Sequence, residues 1–279
     1  MNDTIALLHP GDMGGAVGAC FVQRGLRVSF AAAGRSTATL ERARAAGLED
    51  AGTLAACLAP AQIALAVCPP HAALDLAREV AACGFRGCYV DANAIAPATA
   101  REVGRIVESA GATFVDGGII GPPPRGEGRT RLYLSGHQAA MVAALCEGTP
   151  LRAIVVDGPP GAASAVKACY SAWNKGTIAM LAAIRALARH EGVDQEILVE
   201  WSISHPELVK RSEAITTQAQ KAWRWIGEMD ELAQAFEAAG LPDGFVAAAG
   251  ECYERLTSYK DATPPIPFDA ILAKLGSHA

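Results

Sequence analysis

Ile5-Ala6-Leu7-Leu8-His9-Pro10-Gly11-Asp12-Met13-Gly14-Gly15-Ala16-Val17-Gly18-Ala19-Cys20 is the stretch on which the reading of this chain turns. A short apolar run ends in Gly-x-x-Gly and passes at once into small residues. That order predicts a strand, a tight turn and a helix, the arrangement of a dinucleotide site. Gly11 would let the backbone approach a pyrophosphate, and Gly14 and Gly18 would let the helix lie close on its strand. The free N–H groups and positive dipole end of that helix would then face the phosphates. Gly11, Asp12, Met13 and Gly14 are therefore the first candidate cofactor contacts. The full fingerprint is Gly-x-Gly-x-x-Gly, and His9 stands where its first glycine belongs. On these residues alone an ordinary strand–helix turn fits as well.

With 279 residues the chain is long enough for two cores, and 51% of it is apolar. Alanine and glycine abound, which suits helices packed closely on a sheet. A formal net charge of -5 and the absence of a basic cluster argue against nucleic acid as a partner. No run of about twenty uninterrupted apolar residues is present, so no membrane span is expected. The first residues lead straight into a strand, with neither a basic segment nor a separate apolar one, so a cytoplasmic location is expected. The cysteines are scattered and none falls in Cys-x-x-Cys. They read as small buried hydrophobes of a reducing compartment, and no metal site is expected. Cys68 and Cys169 stand beside candidate site positions without reading as nucleophiles.

Beyond the first helix the chain alternates. Leu26–Ala33 reads as a second strand, followed by Gly34-Arg35-Ser36-Thr37 and a helix to about Ala46. NAD-specific folds place an Asp or Glu at the end of this strand. Here Ala or Gly is followed by Arg35 and two hydroxyls. A guanidinium binds phosphate through paired N–H groups, so Arg35 and Ser36 suit a 2'-phosphate, and NADPH (NADP) is expected in preference to NAD. The plainer alternative is a surface arginine beside a Ser36 or Thr37 helix cap.

Ile63–Val67 is the next strand, ending in Cys68-Pro69-Pro70, with a helix over His71–Cys83. Gly87–Asp91 follows, ending in Asp91-Ala92-Asn93, with a helix to about Ala110. This alternation predicts an α/β, Rossmann-type, doubly wound parallel sheet, with ligands outside the carboxyl ends of its strands. Cys68, Pro69, Pro70 and Asn93 fall at those ends. The Asn93 amide can donate and accept toward a carboxamide or a substrate oxygen, or simply make a turn or cap a helix.

Thr113–Asp116 reads as a further strand leading into a loop from Gly117 to Gly128, rich in glycine and proline. The Gly117-Gly118 backbone can approach a ligand closely. Arg125, Arg129 and Arg131 either draw an anionic substrate inward or coat a solvated loop end. Arg129–Ser135, His137–Cys146 and Ala153–Val156 read as strand, helix and last strand. Asp157-Gly158-Pro159-Pro160-Gly161 marks a boundary between a domain over 1–157 and an all-α C-terminal domain over 158–279.

The helix predicted over Ala163–His190 carries Ser164, Lys167, Tyr170, Ser171 and Asn174 in an alanine-rich stretch. Residues three, four and seven apart share a helix face, so an ammonium, hydroxyls and an amide stand together. Partial burial there would make Lys167 a competent proton donor or acceptor. The alternative is an exposed, solubilising lysine. Further on, Trp223 and Trp225 point to opposite sides of any helix, so at most one belongs in a core.

Taken in order, these motifs resemble the beta-hydroxyacid dehydrogenase and 6-phosphogluconate dehydrogenase superfamily. The features that carry the resemblance are the turn Pro10–Gly14, Val-Cys-Pro-Pro at Val67–Pro70, Asp91–Pro97, the glycine pair after Asp116, and Gly161–Lys167, which matches the family's catalytic lysine helix. The part from Tyr170 onward is similar to a branch with a divergent C-terminal domain. The resemblance implies NADP(H)-dependent hydride transfer to or from a small hydroxy or keto acid, with Lys167 as general acid and base. It implies that Ser171 and Asn174 orient the lysine and the reacting oxygen. Asn93, Gly117, Gly118 and Tyr170 then fall on the substrate side. It also implies a homodimer formed through the helical region. Ser171 stands where the family has an asparagine, and Asn93 where it usually has Ser or Thr, which leaves the substrate open. Imine reductases share the plan but usually carry an acid or a tyrosine at the lysine position. A non-catalytic nucleotide-binding relative is the reading that His9 favours.

Overall fold

The computed structural model describes residues 4–126, 128–260 and 262–276. The chain divides into two compact units, Met1–Ala168 and Cys169–Ala279.

In the first unit strands and helices alternate. They are β1 (Thr4–Leu7), α1 (Asp12–Gln23), β2 (Arg27–Phe30), α2 (Thr37–Ala45), β3 (Glu49–Asp50), α3 (Leu54–Leu58), β4 (Ile63–Ala66), α4 (Ala73–Ala82), β5 (Cys88–Asp91) and α5 (Pro97–Ser109). β6 (Thr113–Ile120), β7 (Thr130–Ser135), α6 (Ala139–Ala144) and β8 (Leu151–Val155) follow. One eight-stranded sheet results, in the order β3-β2-β1-β4-β5-β6-β7-β8. β1, β4 and β5 are buried at every position, as expected of parallel strands covered on both faces. Side chains alternate between the two layers. Ile5 and Leu7 pack with Val17 and Phe21 of α1 and Val142 of α6. Ala6 and Leu8 pack with Ala77 of α4 and Val103 of α5 on the opposite face.

One expectation is corrected here. Gly117 and Gly118 are not loop: β6 runs through them to Ile120, with Gly117 opposite Leu134 and Gly118 opposite Tyr133 of β7. The expected doubly wound sheet is mostly parallel, with β6 and β7 its one antiparallel pair among the described residues. The return between them takes only residues 121–129, and a parallel crossover needs about a dozen residues or more. Glycine is depleted from strands, which is why the pair read as loop. β3 and α3 had no counterpart in the sequence reading, since segments so short show no period.

α7 (Ala162–His190) carries the chain from the first unit into the second. The division thus falls inside this helix, beyond the 157/158 boundary expected from the Gly–Pro stretch. α8 (Asp194–Ser204), α9 (Pro206–Arg211), α10 (Ala222–Ala238), α11 (Gly244–Arg255) and α12 (Phe268–Gly276) complete the second unit. Met229, Val246, Tyr253 and Ile271 are fully buried among them. A buried ion pair joins α7 to the start of α8: Arg185 Nη2 donates to Asp194 Oδ2 at 2.9 Å, and Arg185 Nη1 donates to Ser212 Oγ at 3.0 Å. No helix among the described residues is long and apolar enough to cross a membrane.

Candidate functional site

The turn after β1 lies at the carboxyl edge of the sheet, where the strand order departs in both directions, to β2 on one side and β4 on the other. A Cβ on Gly14 would stand 2.2 Å from the His9 carbonyl oxygen, so only glycine fits. Gly11 is the N-cap of α1 and no side chain caps that helix. By contrast, Ser36 caps α2 and Thr53 caps α3. The first-turn amides of α1 are groups of the kind an anion takes. His9 causes the turn no backbone strain, because no non-glycine residue among those described has a positive φ. Its ring lies over Gly11, with Cδ2 3.3 Å from where a Cβ would be.

Arg35 reaches back to this turn from the end of β2. Its Nη2 donates to the Leu8 carbonyl at 2.8 Å, and its Nη1 is 2.8 Å from His9 Nδ1. Ser36 is exposed and its hydroxyl accepts from the Thr39 amide. Asp12 is paired with Arg125, so the glycine–proline loop folds back over α1, and Met13 is half-buried beside them. Arg131 donates to the Arg129 carbonyl at 2.8 Å.

Cys68, Pro69 and Pro70 follow β4, and Asn93 follows the neighbouring β5. Asn93 is 2% exposed. Its Oδ1 accepts from the Cys68 amide at 2.6 Å and its Nδ2 donates to Asp91 Oδ2 at 2.9 Å. Asn93 therefore ties the ends of two strands together, and both ends of its amide are engaged within the fold. Burial, then the nearby Asp91 charge, push the Cys68 thiol up to about 12, so it is no nucleophile near neutral pH.

Asp116 sits fully buried in β6 beneath the start of α7. Its Oδ2 accepts from the Gly161 amide at 2.9 Å, the Ser164 amide at 3.0 Å and the Ser135 hydroxyl at 2.9 Å, while Oδ1 accepts from the Ser164 hydroxyl. A carboxylate here satisfies orphan amides and complements the helix dipole. The clamp lays α7 against β6. A Cβ on Gly118 would stand 2.8 Å from Lys167 Cβ and 3.0 Å from the Ala163 carbonyl oxygen. Gly117 is equally constrained, by the Asp91 carbonyl oxygen at 2.7 Å. β5 ends at Asp91, opposite Asp116, so Gly117–Ile120 project past it on the carboxyl side, and Lys167 stands there half-buried. The sequence reading missed Asp116. Its signal, an acid inside an apolar strand, is informative only once the helix it caps is known.

Tyr170, Ser171 and Asn174 follow Lys167 on α7, within the second unit. Tyr170 is 39% exposed and Asn174 is half-buried. Ser171 is buried, and its hydroxyl donates to Glu228 Oε1 of α10 at 2.6 Å. Lys175 pairs with the other Glu228 oxygen, and Tyr253 donates to the Lys175 carbonyl at 2.6 Å. Trp225 is half-buried and stands edge-on to Tyr253 at 5.0 Å, while Trp223 is exposed, so neither tryptophan of the pair is fully buried. No group of His, Cys, Asp and Glu among the described residues is arranged to hold a metal ion.

The same architecture recurs in solved structures. The 3-hydroxyisobutyrate dehydrogenase of Mycobacterium tuberculosis, solved with L-serine, superposes with a TM-score of 0.72 over 99% of this chain and 100% of its own, at 19% identity. The chain has the 3-hydroxyacid dehydrogenase fold. The 3-hydroxyisobutyrate dehydrogenase of Salmonella typhimurium matches at 15% identity and a TM-score of 0.67, covering 97% of this chain and 99% of its own. The reductive aminase of Aspergillus terreus, solved with NADPH, cyclohexanone and allyl amine, matches at 16% identity and a TM-score of 0.59, covering 98% and 99%. Residues 188–256 match a family described as Domain of unknown function (DUF1932). No curated protein matches the sequence.

Proposed function

We propose that the chain is an NADP(H)-dependent oxidoreductase acting on a small hydroxy or keto acid, with Lys167 as the proton carrier. The observation that carries this reading is the Asp116 clamp, which fixes the helix of Lys167 against the β6 extension at the carboxyl edge of the sheet. The residues present fit a nicotinamide dinucleotide. Gly14 closes a turn that no side chain could enter, α1 offers uncapped amides for the pyrophosphate, and Arg35 waits at the end of β2 for a 2'-phosphate. Cys68, Pro69 and Pro70 border the same edge.

Hydride would be supplied or taken up by the nicotinamide when that cofactor is bound. Lys167 Nζ donates a proton to the carbonyl oxygen in reduction and removes it from the hydroxyl in oxidation. Asn174, two turns along α7, offers an amide to the reacting oxygen, and Tyr170 lies on the same stretch. Ser171 supports this helix through Glu228, while Asn93 supports the strand ends on which Cys68–Pro70 stand. The Gly117–Gly118 segment gives α7 its close approach. The second unit pairs with that of another copy, giving a homodimer.

Titration with NADPH and NADH, followed by a screen of 2- and 3-keto acids, tests the reading. Lys167→Met should leave NADPH affinity unchanged and lower turnover by about a hundredfold or more. Unchanged turnover would remove Lys167 from the mechanism, and binding of neither nucleotide would end the oxidoreductase reading. Cyclic imines belong in the same screen, because the Aspergillus terreus reductive aminase shares the fold over nearly its whole length.

A further inference from the structure

Arg35 is held by the ends of two adjacent parallel strands. Leu8, just past β1, accepts from Nη2 at 2.8 Å; Ala31, just past β2, accepts from Nε at 3.4 Å; and His9 meets Nη1 at 2.8 Å. A guanidinium has donors only, so in the last pair His9 Nδ1 must be the acceptor, which fixes the ring as its Nε2–H tautomer. Burial, and then the Arg35 charge, hold the His9 pKa below its ordinary 6.5, which keeps the ring in that accepting form. These contacts occupy Nε and one proton on each terminal nitrogen. Each terminal nitrogen carries a second N–H beyond these contacts, so donors remain on Arg35 for phosphate oxygens.

We infer that His9 is a positioning residue for cofactor specificity: it holds the Arg35 guanidinium in place as a preformed fork for the 2'-phosphate of NADP(H). The inference rests on the turn being a nicotinamide-dinucleotide site, and it gives the missing first glycine a function. A long arginine side chain loses rotamer freedom when it grips a ligand, and a guanidinium already held on three sides has less to lose. His9 also packs over Gly11, so it contributes to the turn itself. The two roles separate by ligand. Damage to the turn weakens both nucleotides, whereas release of Arg35 weakens only the one that carries the 2'-phosphate.

The experiment is a calorimetric titration of wild type, His9→Ala, His9→Asn and Arg35→Ala with NADPH and with NADH. Wild type should prefer NADPH, and Arg35→Ala should abolish the preference. His9→Ala should cut the NADPH-to-NADH affinity ratio by about tenfold while NADH affinity stays within about twofold. His9→Asn, whose Oδ1 can stand where Nδ1 accepts, should restore most of the ratio. If His9→Ala keeps the wild-type ratio, weakens both nucleotides alike, or is not rescued by Asn, the inference is overturned while the oxidoreductase reading stands. A wild type without preference for NADPH overturns the inference and the NADP(H) assignment together.

Discussion

At the scale of single residues, the first unit is organised by close approach. Gly118 has Lys167 Cβ at 2.8 Å from the position a Cβ would take, and the neighbour is the root of a side chain on a clamped helix. Gly118→Ala should therefore displace α7 from β6. Overpacking of this kind costs about 1–3 kcal/mol of stability. A proton carrier displaced by a fraction of an ångström should also lose at least about tenfold in turnover, with NADPH affinity little changed. Thermal melts and single-turnover rates read the two effects. Gly126, with nothing within 4 Å of its Cβ position, supplies the control: Gly126→Ala should match wild type in both. Wild-type turnover in Gly118→Ala would detach the glycine from the lysine.

At the scale of elements, α7 is held by a carboxylate in each unit, Asp116 near its start and Asp194 beside Arg185 near its end. Arg185 is only 3% exposed, so Asp194→Asn leaves a buried guanidinium short of its counter-charge, at a cost of about 3–5 kcal/mol. Hydrogen bonds from Arg185, followed by those from Arg189, hold the Asp194 carboxyl below its usual 3.8. The sign follows from that direction. The folded carboxylate releases its proton more readily than the unfolded one, so the pair stabilises fully above about pH 3.8 and the contribution is lost as the pH falls toward the lower folded value. The Tm gap between wild type and Asp194→Asn should be constant near neutral pH and close below about pH 4. A gap that persists unchanged in acid would show that charge pairing is not its source.

At the scale of the whole molecule, exposed apolar surface is unevenly shared. Of the twelve exposed large hydrophobic residues described, ten belong to the second unit, among them Trp173, Met180, Leu187, Val199 and Ile203. Exposed apolar side chains of this kind are what the proposed homodimer would cover. Sedimentation equilibrium should therefore give twice the chain mass at micromolar concentration, and Ile203→Glu, 75% exposed in one chain, should shift the protein toward monomer without unfolding it. A wild-type monomer would refute the homodimer.

The sequence by itself determined the alternation of strands and helices, the turn after β1, the alanine-rich helix of Lys167 and the all-helical second part. These are carried by local periodicity and by glycine spacing, which the chain expresses within a few residues. Only the tertiary structure decided what the polar groups face. Asn93 offers a donor and an acceptor in the sequence, and the fold directs them to Asp91 and the Cys68 amide. Ser171 shares a helix face with Lys167, yet its hydroxyl is directed to Glu228, a residue far along the chain. Gly117 and Gly118 read as loop because glycine is depleted from strands, and the helix and strands that crowd them there meet only when the sheet closes. The strand alternation needs one segment to be seen, whereas a hydrogen-bond partner or a crowded glycine needs two distant segments to meet. That meeting is set by packing, and no local pattern encodes it.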